Sequence, residues 1–560
     1  MAGPNLRKRI GHGFVSRQVF AEKAIEQVAM AAKTAAAPGA KKAKAGAAAA
    51  IVPGGKLGAG FFDFMFKDLP PFTASDADLD TLAKAMKDPA PVDQPNPDPH
   101  DNKKIPSGFT YLGQFVDHDI TLDMTPLSLA LADPGMVKNF RSPSLDLDCV
   151  YGAGPGPHRF LFAREPAPGG SGAVDSPKLL IGTAQASQEN SDRVAQTPQV
   201  PELPNDLPRN MQGVALIGDH RNDENLLVAQ IHLAFLKFHN AVIDHLKAKG
   251  VPDDTLFEDA ARTVRWHYQW LVLHDWVERL TEKGFVAKIL QEGRKFYRFK
   301  TKPFMPWEFS AAAYRMGHSM VREKYSHNRI FRTPNPHIAE ARLATLFRFS
   351  NLSGALSSSV PGQGTLPSNW VIDWRRFFEL PPPANTSQFE FNFSHQLDPL
   401  LTDALHKLPG ATGPEASLAF RNLKRGVRLG LPSGQAVAKE MRKKITFTPI
   451  TPDEIASGPD GLVAKSLGFH TNTPLWYYIL KEAQVKGGGE RLGPVGARIV
   501  GEVFVGLVQG DEESFLSKPG WKPDLPAATP GTFFMTDLLK FVAKAADPAN
   551  PDKELNPIGD

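Results

Sequence analysis

From residue 227 onward, apolar residues recur at spacings of three and four. Leu227, Ile231, Ala234, Phe235, Phe238, Val242 and Leu246 make one wide apolar face, which predicts a long helix. The same period runs through 256–280, 310–321, 337–347, 475–483 and 495–508, and each stretch reads as a helix. Alternating runs that would mark strands are scarce, and neither a solenoid repeat nor a recurrent strand–helix–strand spacing is present. The expected fold is mainly α: one large helical domain with long loops and few short strands.

Two stretches interrupt this pattern. Residues 31–50 are Ala, Lys and Gly with nothing large to bury, so 1–50 reads as a flexible basic tail and the folded domain as 51–560. From about Pro166 to Pro208, Pro, Gly and Ser break any period, which predicts long surface loops. Charge follows the same division. Residues 1–45 carry nine Lys and Arg against two Glu, a local +7, so the remaining chain carries −3 of the net +4. A folded part without basic excess argues against nucleic acid as a partner. No run approaches eighteen apolar residues, so no membrane-spanning helix is expected. One cysteine, Cys149, excludes an intramolecular disulfide. No secretory h-region is readable, so the default location is cytoplasmic, with non-classical export left open. Oligomeric state is not legible.

Among sixteen histidines, His232, His239, His245, His267 and His274 sit on strongly apolar helices and read as structural. His118 differs, because it follows Gln114 and lies between Asp117 and Asp119 in GQFVDHD. That setting suits a metal ligand, a proton shuttle or a solvated loop. In GDHRNDEN, Arg221 and Glu224 precede the long helix; Asp219, Asn222 or Asp223 could cap it, while a permanently charged Arg221 could polarise a bound anion or peroxide. His318 lies among small residues in AAAYRMGHSMV, where Gly317 would let something flat approach the backbone. SPSLDLDCVYG offers hard oxygen ligands in Ser142, Ser144, Asp146 and Asp148. Asn422 and Arg425 stand one turn apart in FRNLKRGVRLGLP.

Taken in order, these five motifs resemble the animal-type haem peroxidase superfamily, which includes myeloperoxidase and the cyclooxygenases, over roughly residues 60–510. The resemblance implies haem b as cofactor and a reaction in which hydrogen peroxide is reduced and small donors, halides or thiocyanate are oxidised through an oxo-ferryl intermediate. It implies His118 as distal base, Gln114 beside it, Arg221 as distal arginine and His318 as proximal iron ligand. It further implies Asn422 as hydrogen-bond partner of that imidazole and Arg425 near a haem propionate. A calcium ion is implied at Asp119, Ser142, the Ser144 carbonyl, Asp146 and Asp148, and ester bonds to haem at Asp117 and Glu224. Asn225 stands where myeloperoxidase has methionine, so a sulfonium link is not expected.

Two other readings are weighed. A fatty-acid dioxygenase would need a tyrosine three residues before His318, where the chain has Arg315; Tyr314 is expected on a different side of the helix. A helical metal-dependent phosphohydrolase would use the pairs His118–Asp119 and His274–Asp275, completed by His239.

Overall fold

A computed structural model of the chain describes residues 60–89, 98–123, 138–167, 170–189, 199–332, 341–350, 364–386 and 389–560. The expected 1–50 tail lies outside them. The fold is mainly helical, with strands confined to two- and three-stranded pieces. The helices that build the interior are α1 (Gly108–Ile120), α2 (Leu226–Ala248), α3 (Leu256–Leu271), α4 (Phe285–Glu292), α5 (Leu418–Arg428), α6 (Leu475–Lys486), α7 (Pro494–Gln509) and α8 (Met535–Ala546).

Helix α2 is apolar on almost every side because α1, α3 and α8 pack around it. Its length and hydropathy would suit a membrane crossing, yet it is buried within the protein. The helix starts at Asn225, whose side chain accepts from the Val228 N–H at 3.0 Å, closing one of the orphan donors of the first turn. Asp219 caps a separate 3₁₀ turn, His220–Asp223, so none of the expected caps, Asp219, Asn222 or Asp223, is the cap of α2. Helix α7 approaches its neighbours at glycines: a Cβ at Gly506 would meet the Tyr297 ring at 2.4 Å.

Three sequence expectations are corrected. Residues 310–321 do not form an α-helix; Trp307–Ser310 is a single turn and Ala313–His318 is 3₁₀. The Arg315 guanidinium takes the Ser310 carbonyl at 3.0 Å and the Trp476 indole takes the Arg315 carbonyl at 3.2 Å, while Gly317 weakens the helical alternative. The expected helix 337–347 is, in its described part, a strand at Ala341–Arg342 pairing antiparallel with Lys324–Tyr325, followed by the turn Leu343–Leu346. The loop-rich stretch 166–208 contains strands: Phe162–Pro166 pairs with Ala173–Leu179, and Gly182–Ala184 with Leu203–Asp206. Antiparallel hairpins need only short stretches between turns, so Pro and Gly punctuate them without abolishing them.

Helix α3 continues through a π-helical segment, Val272–Val277. The inserted residue turns Trp276 toward α1, where a Cβ on Gly113 would lie 2.6 Å from the indole. The two helices meet at that glycine, next to the cavity described below.

Candidate active site

A cavity with about 1060 Å³ of atom-free space, mouth included, opens between α1, the 3₁₀ turn ending at His318 and α5. Gln114, Asp117 and Glu224 line one part of it; Tyr314, Arg315, Gly317 and His318 line another. A Cβ built on Gly317 would meet nothing within 4 Å, so the backbone there is open to whatever fills the space.

His118 is fully buried on α1. Its Nδ1 lies 2.8 Å from the Asn222 carbonyl oxygen, and the Asn222 amide nitrogen lies 2.9 Å from His232 Nδ1. The chain of bonds assigns the protons: His118 donates from Nδ1 and keeps a lone pair on Nε2, and His232 accepts at Nδ1. Burial, reinforced by the Arg221 charge, lowers the His118 pKa to about 3, so the ring is neutral. Its Nε2 lies 3.7 Å from Glu224 Oε1. His118 does not itself line the cavity; Glu224 and Gln114 do.

Glu224 accepts from the Gln114 amide, and Gln114 in turn accepts from Asn225 at 3.1 Å. Burial pushes the Glu224 carboxyl up to about 8, and burial also raises Asp117, which accepts from Thr121 Oγ1 at 3.1 Å. Arg221 stands behind the cavity wall. Its Nη2 donates to the carbonyls of His118 at 2.8 Å and Thr121 at 2.6 Å and pairs with Asp219 at 2.7 Å, so it holds the end of α1 against the 220–223 turn.

On the other side, the Asn422 amide nitrogen lies 2.7 Å from His318 Nδ1, and its oxygen accepts from Arg315 Nη1 at 3.4 Å. In this arrangement the His318 proton sits on Nε2. A half-turn of the amide would place its oxygen at Nδ1, move the proton there and free Nε2 to bind a metal. Burial holds the His318 pKa well below its ordinary value, so the ring is neutral and keeps a lone pair to offer.

Arg425 forms an ion pair with Asp123 at 2.7 Å and does not line the cavity. The guanidiniums on the wall belong to Arg315 and Arg421. Sequence reasoning passed over both, although Arg421 lies one turn before Arg425 and Arg315 three residues before His318. Tyr314 and Trp276 were also missed as cavity residues. Tyr314 lines the cavity together with His318, contrary to the expectation that it would face elsewhere, because 3₁₀ winding changes the side-chain phase. Its hydroxyl donates to the Gly113 carbonyl at 3.1 Å and accepts from Trp276 Nε1 at 2.8 Å.

The second cluster lies at the end of α1. Oxygens of Asp119, Asp146 and Asp148 all come within 4.8 Å of one another. Asp119 Oδ1, Asp148 Oδ2 and Ser144 Oγ are buried without a hydrogen-bond partner. Ser142 Oγ donates to Asp146 at 2.5 Å, and Arg141, itself shared with Asp219, donates to Asp148 at 2.9 Å. Burial raises all three carboxyls, with repulsion from Asp146 adding to it at Asp119 and Asp148 and repulsion from Asp511 adding to it at Asp146. Leu147 takes a left-handed conformation at φ 59°, uncommon outside glycine, which turns the loop back on itself between Asp146 and Asp148. Two buried carboxylates and the partly buried Asp146, with Arg141 bonded to Asp148, match a dication in charge, and their hard oxygens match calcium in chemistry.

The phosphohydrolase constellation is not assembled. His239 accepts or donates at Tyr151 and the Pro177 carbonyl, Asp275 binds Arg279 and the Met535 N–H, and His274 stacks on Trp270 at 4.0 Å. Among the described residues the three-aspartate cluster is the one such group. His232, His239 and His267 are hydrogen-bonded interior residues, as expected.

Fold and cavity define a mainly helical protein whose interior space is walled by a neutral histidine, carboxyls and two arginines. The animal haem peroxidase family model matches residues 133–353. Among curated proteins, a peroxidase-like protein of Margaritifera margaritifera is 25% identical over 249 residues, covering 38% of this chain and 31% of that protein. Heme peroxidase 2 of Caenorhabditis elegans is 22% identical over 305 residues, covering 52% and 39%. The alignments thus span well under half of either relative. Peroxidase A of Dictyostelium discoideum superposes with a TM-score of 0.51 at 14% identity, over 81% of this chain and 88% of that one. A tyrosine-to-phenylalanine variant of Oryza sativa fatty acid alpha-dioxygenase with palmitic acid superposes with a TM-score of 0.53 at 15% identity, over 87% of this chain and 81% of that one. Part of the chain, residues 133–353, is thus similar to the animal haem peroxidase family in sequence, and the fold as a whole is similar to that of peroxidase A.

Proposed function

We propose that this chain is a haem peroxidase that reduces hydrogen peroxide and oxidises small donors, halides or thiocyanate among them. The observation that carries the reading is the cavity: an open backbone at Gly317 and a neutral His318 on one wall, with Gln114, Asp117 and Glu224 on another and His118 held behind them with Nε2 unprotonated. His318 would hold the iron, Asn422 would orient its ring, and Arg315 and Arg421 would meet the propionates, with Arg425 restrained by Asp123. Haem b, when bound, supplies the iron at which the peroxide O–O bond is broken.

The protein moves the proton. Cleavage needs a proton taken from one peroxide oxygen and returned to the other, and His118 Nε2 is the fixed acceptor. Asn222 keeps the ring in the tautomer that leaves that atom bare. The low pKa means that a proton taken up is readily given back. Glu224, 3.7 Å from Nε2 and protonated near neutral pH, can pass the proton across only while its carboxyl is free; once it is esterified, His118 Nε2 exchanges the proton without it. Arg221 fixes the backbone of His118 itself. Positioned proton transfer of this kind is worth about 10²–10⁴-fold.

Asp117 and Glu224 are the two carboxyls proposed to esterify haem. After peroxide treatment, acidic organic extraction should leave haem on the chain; complete release refutes the ester. Calcium is proposed at Asp119, Asp146 and Asp148, with Ser142 and Ser144. The test of the whole reading is the absorption spectrum of the purified full chain with haem. A Soret band lost in His318→Ala, with peroxide-dependent donor oxidation, supports it; a colourless protein that takes up no haem refutes it.

Tyr314 supports a second reading, fatty-acid oxygenation, because it lines the cavity together with apolar Leu343, Phe347, Leu405 and Leu408. Oxygen uptake with palmitic acid that disappears in Tyr314→Phe, in the absence of donor oxidation, would replace the first reading.

A further inference from the structure

A second cavity lies away from the first and shares no lining residue with it. It holds about 1390 Å³ of atom-free space, open solvent included, between α4, the chain at 444–448 and the start of α7. Six cations line it: Lys288, Lys295, Lys444, Lys486, Arg491 and Arg498. Its own carboxylates are Glu282 and Glu292. Glu454, paired with Lys486 at 2.7 Å, and Glu502 stand just behind, which still leaves an excess of two positive charges.

Arg498 carries the argument. It is only 5% exposed, yet its Nε and Nη1 have no hydrogen-bond partner. Buried guanidinium N–H groups without hydrogen-bond acceptors are costly to the fold unless something supplies them. Its nearest carboxylate is an ion-pair neighbour that makes no hydrogen bond to it. Glu502 Oε1 lies 3.5 Å from Nη1 but is taken by the Lys295 N–H at 2.8 Å, while Oε2 accepts from the N–H groups of Phe296 at 2.7 Å and Tyr297 at 2.9 Å. The guanidinium rests over the Phe285 ring at 5.0 Å, which fixes its plane while leaving donors on its edge.

The helix end is not what binds here. Glu482 accepts from the N–H groups of Val495 at 2.8 Å and Gly496 at 3.3 Å and so occupies the first turn of α7. The unmet demand is that of the side chains: one recessed fork that suits bidentate oxygen pairs, and exposed lysines, Lys288 and Lys444, as point charges at the mouth.

We propose that this cavity is a binding site for a compact anion carrying several phosphate charges, gripped at its inner end by Arg498 and at its mouth by Lys288 and Lys444. The recessed position of Arg498 favours a free small molecule over a lipid headgroup. The site is independent of the haem reading, because none of its residues belongs to the first cavity.

Calorimetric titration of the haem-loaded full chain with tripolyphosphate tests it, with the melting temperature as second readout. Saturable binding is expected, weakened at least tenfold by Arg498→Gln, equivalent to about 1.4 kcal/mol. The double variant Lys288→Ala/Lys444→Ala should weaken binding roughly three- to tenfold and flatten its salt dependence. Absence of both heat and melting shift at about 10 mM tripolyphosphate overturns the proposal. So does unchanged affinity in a folded Arg498→Gln protein or, if that variant does not fold, unchanged affinity in the lysine double variant. Cosedimentation with phosphatidic acid vesicles without any response to tripolyphosphate overturns the assignment to a free ligand.

Discussion

Removing calcium should destabilise this protein measurably, and the size follows from the aspartate cluster. Asp119 belongs to α1, whereas Asp146 and Asp148 come from the loop around Leu147, so an ion bound to all three ties helix to loop. Without it, two buried carboxylates and the partly buried Asp146 crowd together, and the arginine bonded to Asp148 is also committed to Asp219. At a calcium concentration 100 times the dissociation constant, an ion that binds only the folded state contributes about 2.7 kcal/mol. Unfolding entropy near 2.1 cal/mol/K per residue, over a cooperative unit of roughly 500 residues, is about 1 kcal/mol per degree. Exhaustive chelation should therefore lower the melting temperature by about 3 °C, and added calcium should restore it. Asp119→Asn/Asp148→Asn should melt higher than the chelated wild-type protein, because the repulsion is gone, and should not respond to calcium. Scanning calorimetry with elemental analysis checks this. A chelated protein shown to contain no calcium and melting at the unchanged temperature would refute the charge argument.

Asn222→Leu leaves the His118 Nδ1–H without an acceptor and loosens the tautomer. Stopped-flow reaction with peroxide should slow about 10²-fold or more, with haem binding retained, and an unchanged rate would disprove the orienting role. Trp276→Ala empties the contact between the π segment and Gly113, and chemical denaturation should show a loss of about 3–5 kcal/mol. Glu308 is buried and accepts from the N–H groups of Met65 and Phe66 at 2.9 Å, and burial raises its carboxyl to about 7. Because its folded pKa lies above the unfolded value of about 4.3, its contribution is fully present below pH of about 4 and is lost as pH rises through about 7. Urea denaturation between those pH values should give a falling stability that is flatter in Glu308→Gln; identical slopes would remove Glu308 as the cause.

Periodicity was enough to find α2, α3, α6 and α7, because each presents a sustained 3.6-residue pattern over at least three turns. It failed at 310–321 and 337–347, where short apolar runs were claimed by partners from elsewhere: Trp476 for one, the strand at Lys324–Tyr325 for the other. The motifs named the aspartates that converge near Asp119, since hard ligands alternating in SLDLD are visible in one dimension. His118, Gln114, Glu224, His318 and Asn422 were named by the family resemblance, because their residue types alone left several roles open. Residue type could not say which cation faces the cavity. Arg221 and Arg425 are drawn into bonds with Asp219 and Asp123, whereas Arg315 and Arg421 line the wall, because ion pairs form between groups that only folding brings within a few ångströms.

What the linear order of residues determined by itself was the mainly helical character and, with a single cysteine, the impossibility of an intramolecular disulfide. Tertiary structure alone decided that Tyr314 shares a wall with His318, that Glu224 stands between His118 and the cavity, and that Arg498 is buried with donors unmet. Local pattern is set by bonds along the chain. Direction, burial and partnership depend on contacts between residues hundreds of positions apart.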